Sequence, residues 1–307
     1  MLRCVFQIVC LLLVMVMILP AQVRSNDTTA VILAVPAQNI SGLGSSRLAN
    51  HALFEMSDSQ IDSLIKLVPA RAIEPRQRLI IFSQQALNTP YRLFCLGEGA
   101  GSKYDSDPLY DFTQVDCMTF VEQMLALSIS VGFDEMFDNL QRLRYRDGEI
   151  DIRTRNHYFH ADWLPNNRWL LSDATSEIGS DACKIMTKTI DRRALLLQVG
   201  VAEDELTAVP PPQTLSIYYI PTARLLDVSN RLAGGEIASI VQSKPGIFAA
   251  HIGLIIRRPD GELVLRHASP PSGYNRVVDE AFSEVVAKIS RSTTRVGMTF
   301  ARINSEP

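Results

Sequence analysis

The sequence has few long apolar runs, no large excess of charge and no internal repeat. Each of these absences excludes a class of protein. One long apolar run covers residues 5–19, and no second run follows that is long enough to span a membrane. Thirty basic residues against 33 acidic ones leave a formal charge of −3, and the dispersed charges form no basic patch for nucleic acid. Neither an internal repeat nor a low-complexity tract is found, so a repeat array is not expected.

The apolar run follows the single charge of Arg3 and ends at Pro20, after which small and polar residues take over. This order is typical of a secretory signal peptide, and the run is shorter than the ~18 to 20 residues of a membrane-spanning helix, so an uncleaved anchor is the weaker alternative. We expect a signal peptide over 1–25, cleaved after Ser25 or after Ala21, a linker over 26–50 and a domain over 51–307. The mature protein is predicted to be periplasmic or secreted and not attached to a membrane.

Cysteine is also rare. Loss of the signal peptide removes Cys4 and Cys10 and leaves Cys95, Cys117 and Cys183, an odd number in an oxidising compartment. At least one of these thiols therefore lies outside any disulfide within the chain. We expect this thiol to be Cys117, with Cys95 and Cys183 either buried as thiols or joined to each other.

Cys117 lies where loop composition changes to an apolar helical pattern. The pattern consists of Phe120, Val121, Met124, Leu125 and Leu127. Asp116 is a good N-cap, so Cys117 is predicted to be the first helical residue, where unpaired N–H groups and the helix dipole favour the thiolate. Cys117 is therefore a candidate nucleophile, although a small buried core cysteine is the commoner role of this residue type.

Two histidines follow in residues 249–270, which read as two strands around a Pro-Asp-Gly turn at 259–261. A three-residue hairpin loop suits this triplet. It places His251 and His267 on one face as diagonal neighbours, whereas a two-residue turn would put them on opposite faces. On one face, the second imidazole can hold the first in the tautomer that a base requires. The alternative is a pair of ordinary strand residues.

These segments occur in the order VDCMTFVE, AAHIGLII and LRHAS, together with NTPYRL at 88–93, RNHYFHADWLPNN at 155–167 and LAGGEIASIV at 232–241. In this combination the chain resembles the NlpC-type papain-like cell-wall hydrolases, and within them the cysteine-dependent N-acetylmuramoyl-L-alanine amidases. The resemblance covers roughly residues 55–300. It departs at Gly235-Glu236, where a Gly-Asp pair is usual, and in LFCLGEGAGSKYDSD, where the usual substrate loop looks altered.

The resemblance implies a papain-like α+β fold, with the cysteine helix packed on an antiparallel sheet that carries both histidines. It implies Cys117 as nucleophile, His251 as general base and then acid, and His267 as the group that orients His251. The implied substrate is peptidoglycan or its muropeptide fragments, with no cofactor, no metal and no partner protein. Tyr91 and Arg155 are weaker candidates for substrate binding, Arg155 through a stem-peptide carboxylate.

Three other readings stay open. His157, His160 and Asp162 have a spacing that a metal site can use, although HYFHADW is predicted to be strand or loop rather than helix. The same thioester chemistry also serves a γ-D-glutamyl-diamino acid endopeptidase. A non-catalytic cell-wall binding module is the third reading. The aromatic residues Tyr158, Trp163 and Trp169 either cover substrate or belong to the core.

Overall fold

The computed structural model describes residues 51–304, so the predicted signal peptide and linker lie outside the described residues. Helices occupy Asp58–Leu67 (α1), Pro75–Gln85 (α2), Cys117–Ile129 (α3), Phe133–Arg144 (α4), Leu164–Asn166 (α5), Thr175–Gly179 (α6), Arg192–Gln198 (α7) and Phe282–Ser290 (α8). A π-helix, Phe159–Trp163, runs directly into α5. Short 3₁₀ segments lie at Leu53–Glu55, Arg146–Gly148, Ser180–Ala182, Glu203–Leu206, Thr222–Arg224 and Ser229–Arg231.

The strands form one antiparallel sheet. They are Leu171–Asp173 (β1), Lys184–Ile190 (β2), Gln213–Pro221 (β3), Ile237–Gln242 (β4), Ala249–Arg257 (β5), Leu263–Ser269 (β6), Arg276–Ala281 (β7) and Arg295–Ile303 (β8). Their order is β2-β3-β8-β4-β5-β6-β7, and β1 pairs with one end of β8. The α+β class with an antiparallel sheet is therefore confirmed.

Helices cover both faces of this sheet, and the side-chain alternation of β5 and β6 shows why. Ile252, Leu254 and Val264 belong to a core shared with α1 to α4. Their odd-numbered neighbours Ile255 and Leu265 belong to a second core, which α8 covers. A strand buried on both sides carries apolar residues at successive positions, which explains the nearly continuous apolar run in β5.

The central helix α3 is buried over ten of its thirteen residues. It packs between α2 and α4 and against β5 and β6. Burying a Leu or Phe side chain contributes about 1.5–3 kcal/mol, so several such residues hold the helix firmly against the sheet. The first residue of α3, Cys117, is thereby held at the edge of the central strands.

The hairpin of β5 and β6 has the predicted three-residue loop. Arg258 donates its backbone N–H to the carbonyl of Glu262 at 2.8 Å, and Gly261 adopts a φ of +89°. Leu254 then pairs with Arg266, which is the predicted register. The register that the turn residues favoured is therefore confirmed.

Candidate active site

Asp116 caps α3 as predicted and fixes the position of Cys117. Its Oδ1 accepts hydrogen bonds from the backbone N–H groups of Met118 at 3.0 Å and Thr119 at 2.8 Å. Its Oδ2 accepts one from the backbone N–H of Phe94 at 3.1 Å, which ties the preceding loop to the helix start. Cys117 is the first helical residue, so its thiol lies at the positive end of the helix dipole.

His251 and His267 lie in contact, as the hairpin register predicted. Nε2 of His251 is 2.8 Å from Nδ1 of His267, and the two rings meet edge to face with centroids 4.9 Å apart. Burial, then the neighbouring His267 and then Arg295 lower the pKa of His251 well below its usual value. His251 is therefore a neutral imidazole at neutral pH, which is the form that accepts a proton.

Cys117 and His251 line the same cavity, whose volume is about 160 Å³. The other lining residues are Met118, Asn156, His157, Tyr158, Phe159, His160, Ile247, Phe248, Ala249, Ala250 and Ile252. His267 is buried behind His251, with 6 % of its surface exposed, and does not line the cavity. The arrangement places a thiol and an imidazole at the substrate side and a second imidazole behind them.

The three candidate metal ligands, His157, His160 and Asp162, each contact a different partner. His157 contacts the carbonyl of Ile152 through Nε2 at 2.6 Å, and His160 contacts Oγ1 of Thr299 at 2.9 Å. Asp162 pairs with Arg192. Within residues 51–304 no group of three or more potential His, Cys, Asp or Glu ligands is positioned to hold a metal ion.

The prediction of strand or loop for HYFHADW was wrong, because Phe159–Trp163 is a π-helix. This turn points Tyr158 and His160 to the cavity wall, while Trp163 is fully buried. The more distant Trp169 stacks against Arg142, with the guanidinium 3.7 Å from the ring centroid. Of the three aromatic candidates, only Tyr158 lines the cavity.

Arg155 lies beside the cavity wall but does not line the cavity. Its guanidinium pairs with Glu98 and, at 2.9 Å, with Asp105. Both carboxylates belong to the loop at residues 93–107, which departs from the family pattern. Arg155 therefore anchors this loop through two ion pairs. Its side chain is 14 % exposed and faces these two carboxylates, so direct binding of a substrate carboxylate would require Arg155 to leave its partners.

Tyr91 is half-buried and lies close to the cysteine loop. It forms a parallel bridge with Val115, two residues before Cys117, and its backbone N–H donates to the carbonyl of Asn275 at 3.1 Å. It does not line the 160 Å³ cavity. Its position favours support of the loop that leads into α3.

Cys95 and Cys183 are both thiols, so the disulfide alternative is not present. Burial raises the pKa of Cys95 to about 12, and its Sγ lies 3.3 Å from Oγ1 of Thr119. Burial also raises the pKa of Cys183. Neither thiol is activated as a nucleophile.

Sequence reasoning missed two parts of the cavity. Ile247 and Phe248 form one wall, and no local pattern marks them because they lie in the loop before β5. His157 and His160 form another, and their spacing was read as a metal motif. The signal that would have placed them correctly is their position in RNHYFHADW, a segment of the family resemblance.

A family model described as AmiA-like, N-acetylmuramoyl-L-alanine amidase-like, matches residues 81–294. The chain belongs to this amidase-like family. The matched range contains Cys117, His251 and His267. Membership supports a cell-wall amidase in general terms. A comparison with curated proteins finds no match.

Several solved structures share the fold of this chain. A Legionella pneumophila protein assigned to the family DUF1460 is 23% identical, with a TM-score of 0.70 over 82% of this chain and 95% of its own. An N-acetylmuramoyl-L-alanine amidase from Bacteroides uniformis is 24% identical, with a TM-score of 0.61 over 76% of this chain and 100% of its own. At these identities the likeness shows the fold alone.

A Bacteroides fragilis protein whose description proposes a xylanase is also similar, with 25% identity and a TM-score of 0.55 over 72% of this chain and 98% of its own. Most glycoside hydrolases place two carboxylates on either side of the scissile bond. The residues lining the cavity of Cys117 and His251 include no Asp or Glu. This cavity therefore does not show the carboxylate pair of most glycoside hydrolases.

Within residues 51–304, no helix is both long enough and apolar enough to cross a membrane.

Proposed function

We propose that this protein hydrolyses the amide between N-acetylmuramic acid and L-alanine through a thioester on Cys117. The observation that carries the proposal is the placement of Cys117, at a helix N-terminus, in one cavity with His251, which is 2.8 Å from His267. The family model supports the choice of bond. The proposal includes the NlpC-type papain-like superfamily as the origin of the fold.

The reaction begins when His251 accepts the thiol proton of Cys117. The thiolate attacks the lactyl carbonyl carbon, and the oxyanion that forms faces the backbone N–H of Cys117 at the start of α3. The imidazolium of His251 then protonates the amine of L-alanine, and the C–N bond breaks to leave a thioester.

His251 completes the cycle as a base. It removes a proton from water as the water oxygen attacks the thioester carbonyl. The C–S bond then breaks, the muramic acid product leaves, and Cys117 takes back a proton from the imidazolium of His251. Acylation and deacylation each begin with a neutral imidazole, which the lowered pKa of His251 supplies. His267 holds the ring of His251 in place throughout.

The walls of the cavity suit a sugar-peptide junction. Tyr158, Phe159 and Phe248 supply aromatic surface, and Asn156 supplies a polar group. The histidines of the wall are neutral, since burial lowers the pKa of His157 to about 4 and of His160 to about 3. A substrate can therefore be held by packing and hydrogen bonds with little effect of salt.

The proposed location is the periplasm or the cell exterior, where peptidoglycan lies. It rests on the signal-peptide pattern of residues 1–25. Tyr91 stays a proposed substrate-binding residue, next to the loop that leads into α3, and Arg155 is proposed to act on substrate through the loop that it anchors.

Purified muropeptides incubated with the mature protein and analysed by mass spectrometry test the reaction. We expect the sugar to separate from an intact stem peptide, with activity unchanged by a chelator. Cys117→Ala should lower kcat by at least about 10⁴-fold, because the nucleophile is lost. Cys183→Ala is the matched control, since this second thiol lies outside the cavity, and should keep full activity.

Other outcomes assign other functions. Cleavage within the stem would identify a γ-D-glutamyl-diamino acid endopeptidase of the same chemistry. Binding of muropeptides without any cleavage would identify a binding module. Activity that survives Cys117→Ala but not a chelator would overturn the thioester.

A further inference from the structure

A buried carboxylate lies behind the histidine pair. His267 on β6 pairs with Val278 on β7, and Leu265 pairs with Glu280. Glu280 is therefore the diagonal neighbour of His267 on the same face of the sheet. Its Oε2 lies 3.6 Å from Nε2 of His267, at ion-pair distance and slightly longer than a hydrogen bond.

Both side chains are enclosed, each with 6 % of its surface exposed. Nε2 of His267 is buried and has no hydrogen-bond partner among the described residues. A buried donor without a partner is costly, and a small rotation of Glu280 brings its Oε2 within bonding distance. Glu280 is itself held from the far side by Lys288 of α8, whose Nζ lies 2.6 Å from Oε1.

We propose that Glu280 is a positioning residue that fixes the tautomers of His267 and His251 and stabilises the imidazolium formed between them. The proposal rests on the proposed function, because it assigns Glu280 to the same histidine pair. Glu280 does not touch the substrate, since it does not line the cavity. It acts through His267.

The tautomers follow from the chemistry of an ionised carboxylate, which can only accept hydrogen bonds. Burial raises the pKa of Glu280, but the neighbouring His267 and Lys288 outweigh it and leave the pKa below its usual value. The proton of His267 therefore lies on Nε2, facing Glu280, and Nδ1 carries a lone pair. His251 then donates its Nε2 proton to His267, and its own Nδ1 is left as the base for Cys117.

Other charged and titratable groups also act on the pair. Lys288 of α8 neutralises part of the Glu280 charge, and Arg295 of β8 opposes protonation of His251. The cavity side contributes Cys117, His157 and His160, of which the two histidines are neutral. Among the groups named here, Glu280 is the one carboxylate beside the pair, so its charge is what favours the imidazolium.

The kinetic test compares Glu280→Gln with Lys288→Met in the full mature chain. Glu280→Gln removes the charge and also offers a donor where an acceptor is needed. We expect kcat to fall about 10- to 100-fold with little change in KM. The acid limb of the pH profile, where protonation of the histidine pair removes the base, should move to lower pH. Lys288→Met removes the opposing charge and should move that limb to higher pH.

Glu236→Gln is the matched control. Glu236 is also a buried carboxylate of this sheet region. Its Oε1 lies 3.3 Å from Nε of Arg302, and it does not line the cavity. The loss of a buried ion pair destabilises both variants, but only the Glu280 variant should shift the pH profile. An unshifted profile for Glu280→Gln, or an equal loss of kcat in Glu236→Gln, would overturn the proposal.

A second measurement does not depend on activity. In the Cys117→Ala protein, ¹⁵N NMR of the histidine rings should show His267 protonated at Nε2, and Glu280→Gln should lower the pKa of His251. A proton on Nδ1 of His267 would overturn the role of Glu280 even in an active enzyme. Failure of the wild-type protein to cleave muropeptides would overturn the proposed function alone, because the tautomers are read without substrate.

Discussion

At the residue scale, Gly253 sets how closely the two histidine strands approach. A Cβ at this position would lie 2.8 Å from the carbonyl oxygen of Arg266 and 2.9 Å from Cβ of His267. The first of these atoms belongs to the backbone of β6 and cannot move alone. The space that Gly253 leaves is therefore occupied by His267, and the 2.8 Å contact between the histidines depends on it.

Gly253→Ala should separate the strands and lengthen the contact between His251 and His267. We expect a loss of about 1–3 kcal/mol in the free energy of unfolding, as for an overpacked core, and a fall in kcat of at least about tenfold. Urea unfolding and muropeptide kinetics measure the two effects. Gly132→Ala is the control, since an added Cβ there meets only the Asp62 carboxylate at 3.3 Å; equal effects in both variants would contradict the explanation.

At the element scale, Lys188 connects the β2–β3 ribbon to the loop that forms one cavity wall. Its ammonium group donates to the backbone carbonyls of Gln242, Lys244 and Ile247 at 2.5–2.6 Å. It also lies 5.2 Å from the ring centroid of Phe248. Three carbonyls satisfy all three donors of the ammonium, so one side chain fixes the path of the chain into β5 and His251.

Lys188→Met should keep the aliphatic stem and release the loop. We expect faster amide hydrogen exchange over residues 243–250 and a fall in kcat/KM of about tenfold, because the wall of Ile247 and Phe248 loses its support. Lys184→Met, on the exposed part of the same strand, is the control. Unchanged exchange in the Lys188 variant would show that the loop holds its shape by other contacts.

Some elements are specified by neighbouring residues, and others depend on contacts with distant parts of the chain. Asp116 and the apolar positions after it specify α3 from nearest neighbours, and the Pro-Asp-Gly turn specifies the register of β5 and β6. The π-helix at Phe159–Trp163 was missed because its wide turn is stabilised by buried Trp163 and the Asp162–Arg192 ion pair, which join distant parts of the chain. Local propensity does not report such contacts.

At the scale of the whole molecule, three half-buried histidines make the fold sensitive to acid. Burial lowers the pKa of His157 to about 4, of His160 to about 3, and of His251 well below its usual value. The unfolded chain therefore binds more protons than the folded one below about pH 6.5. Glu122 acts in the opposite direction, because burial raises its pKa to about 7 and the folded state holds this proton where the unfolded chain has lost it.

The free energy of unfolding should therefore fall as the pH drops from 6.5 towards 4.5. Near pH 5.5 the three histidines less Glu122 give a net difference of about two protons, or about 2.7 kcal/mol per pH unit. Burial also raises the pKa of Glu98 and of Asp162, which reduces the slope towards pH 4.5. Urea unfolding followed by fluorescence of Trp163 and Trp169 measures this slope. His160→Gln should reduce it by about 1.4 kcal/mol per pH unit, while His51→Gln, at an exposed position, should leave it unchanged; an unaltered slope in the first variant would contradict the assignment.

Several features of the site are encoded by short stretches of chain. These are the cap of α3 at Asp116, the position of Cys117 as first helical residue, and the three-residue turn that puts His251 and His267 on one face. Helix capping and turn geometry act over a few residues, so their outcome is the same wherever the chain goes next.

The contacts between these stretches depend on long-range packing. Cys117 and His251 are 134 positions apart along the chain, and their common cavity exists because α3 packs across β5. The same packing leaves Arg155 with Glu98 and Asp105 beside the cavity, and the pairing of β6 with β7 places Glu280 behind His267. Such partners are fixed by burial and strand pairing across the whole core, which no local pattern records.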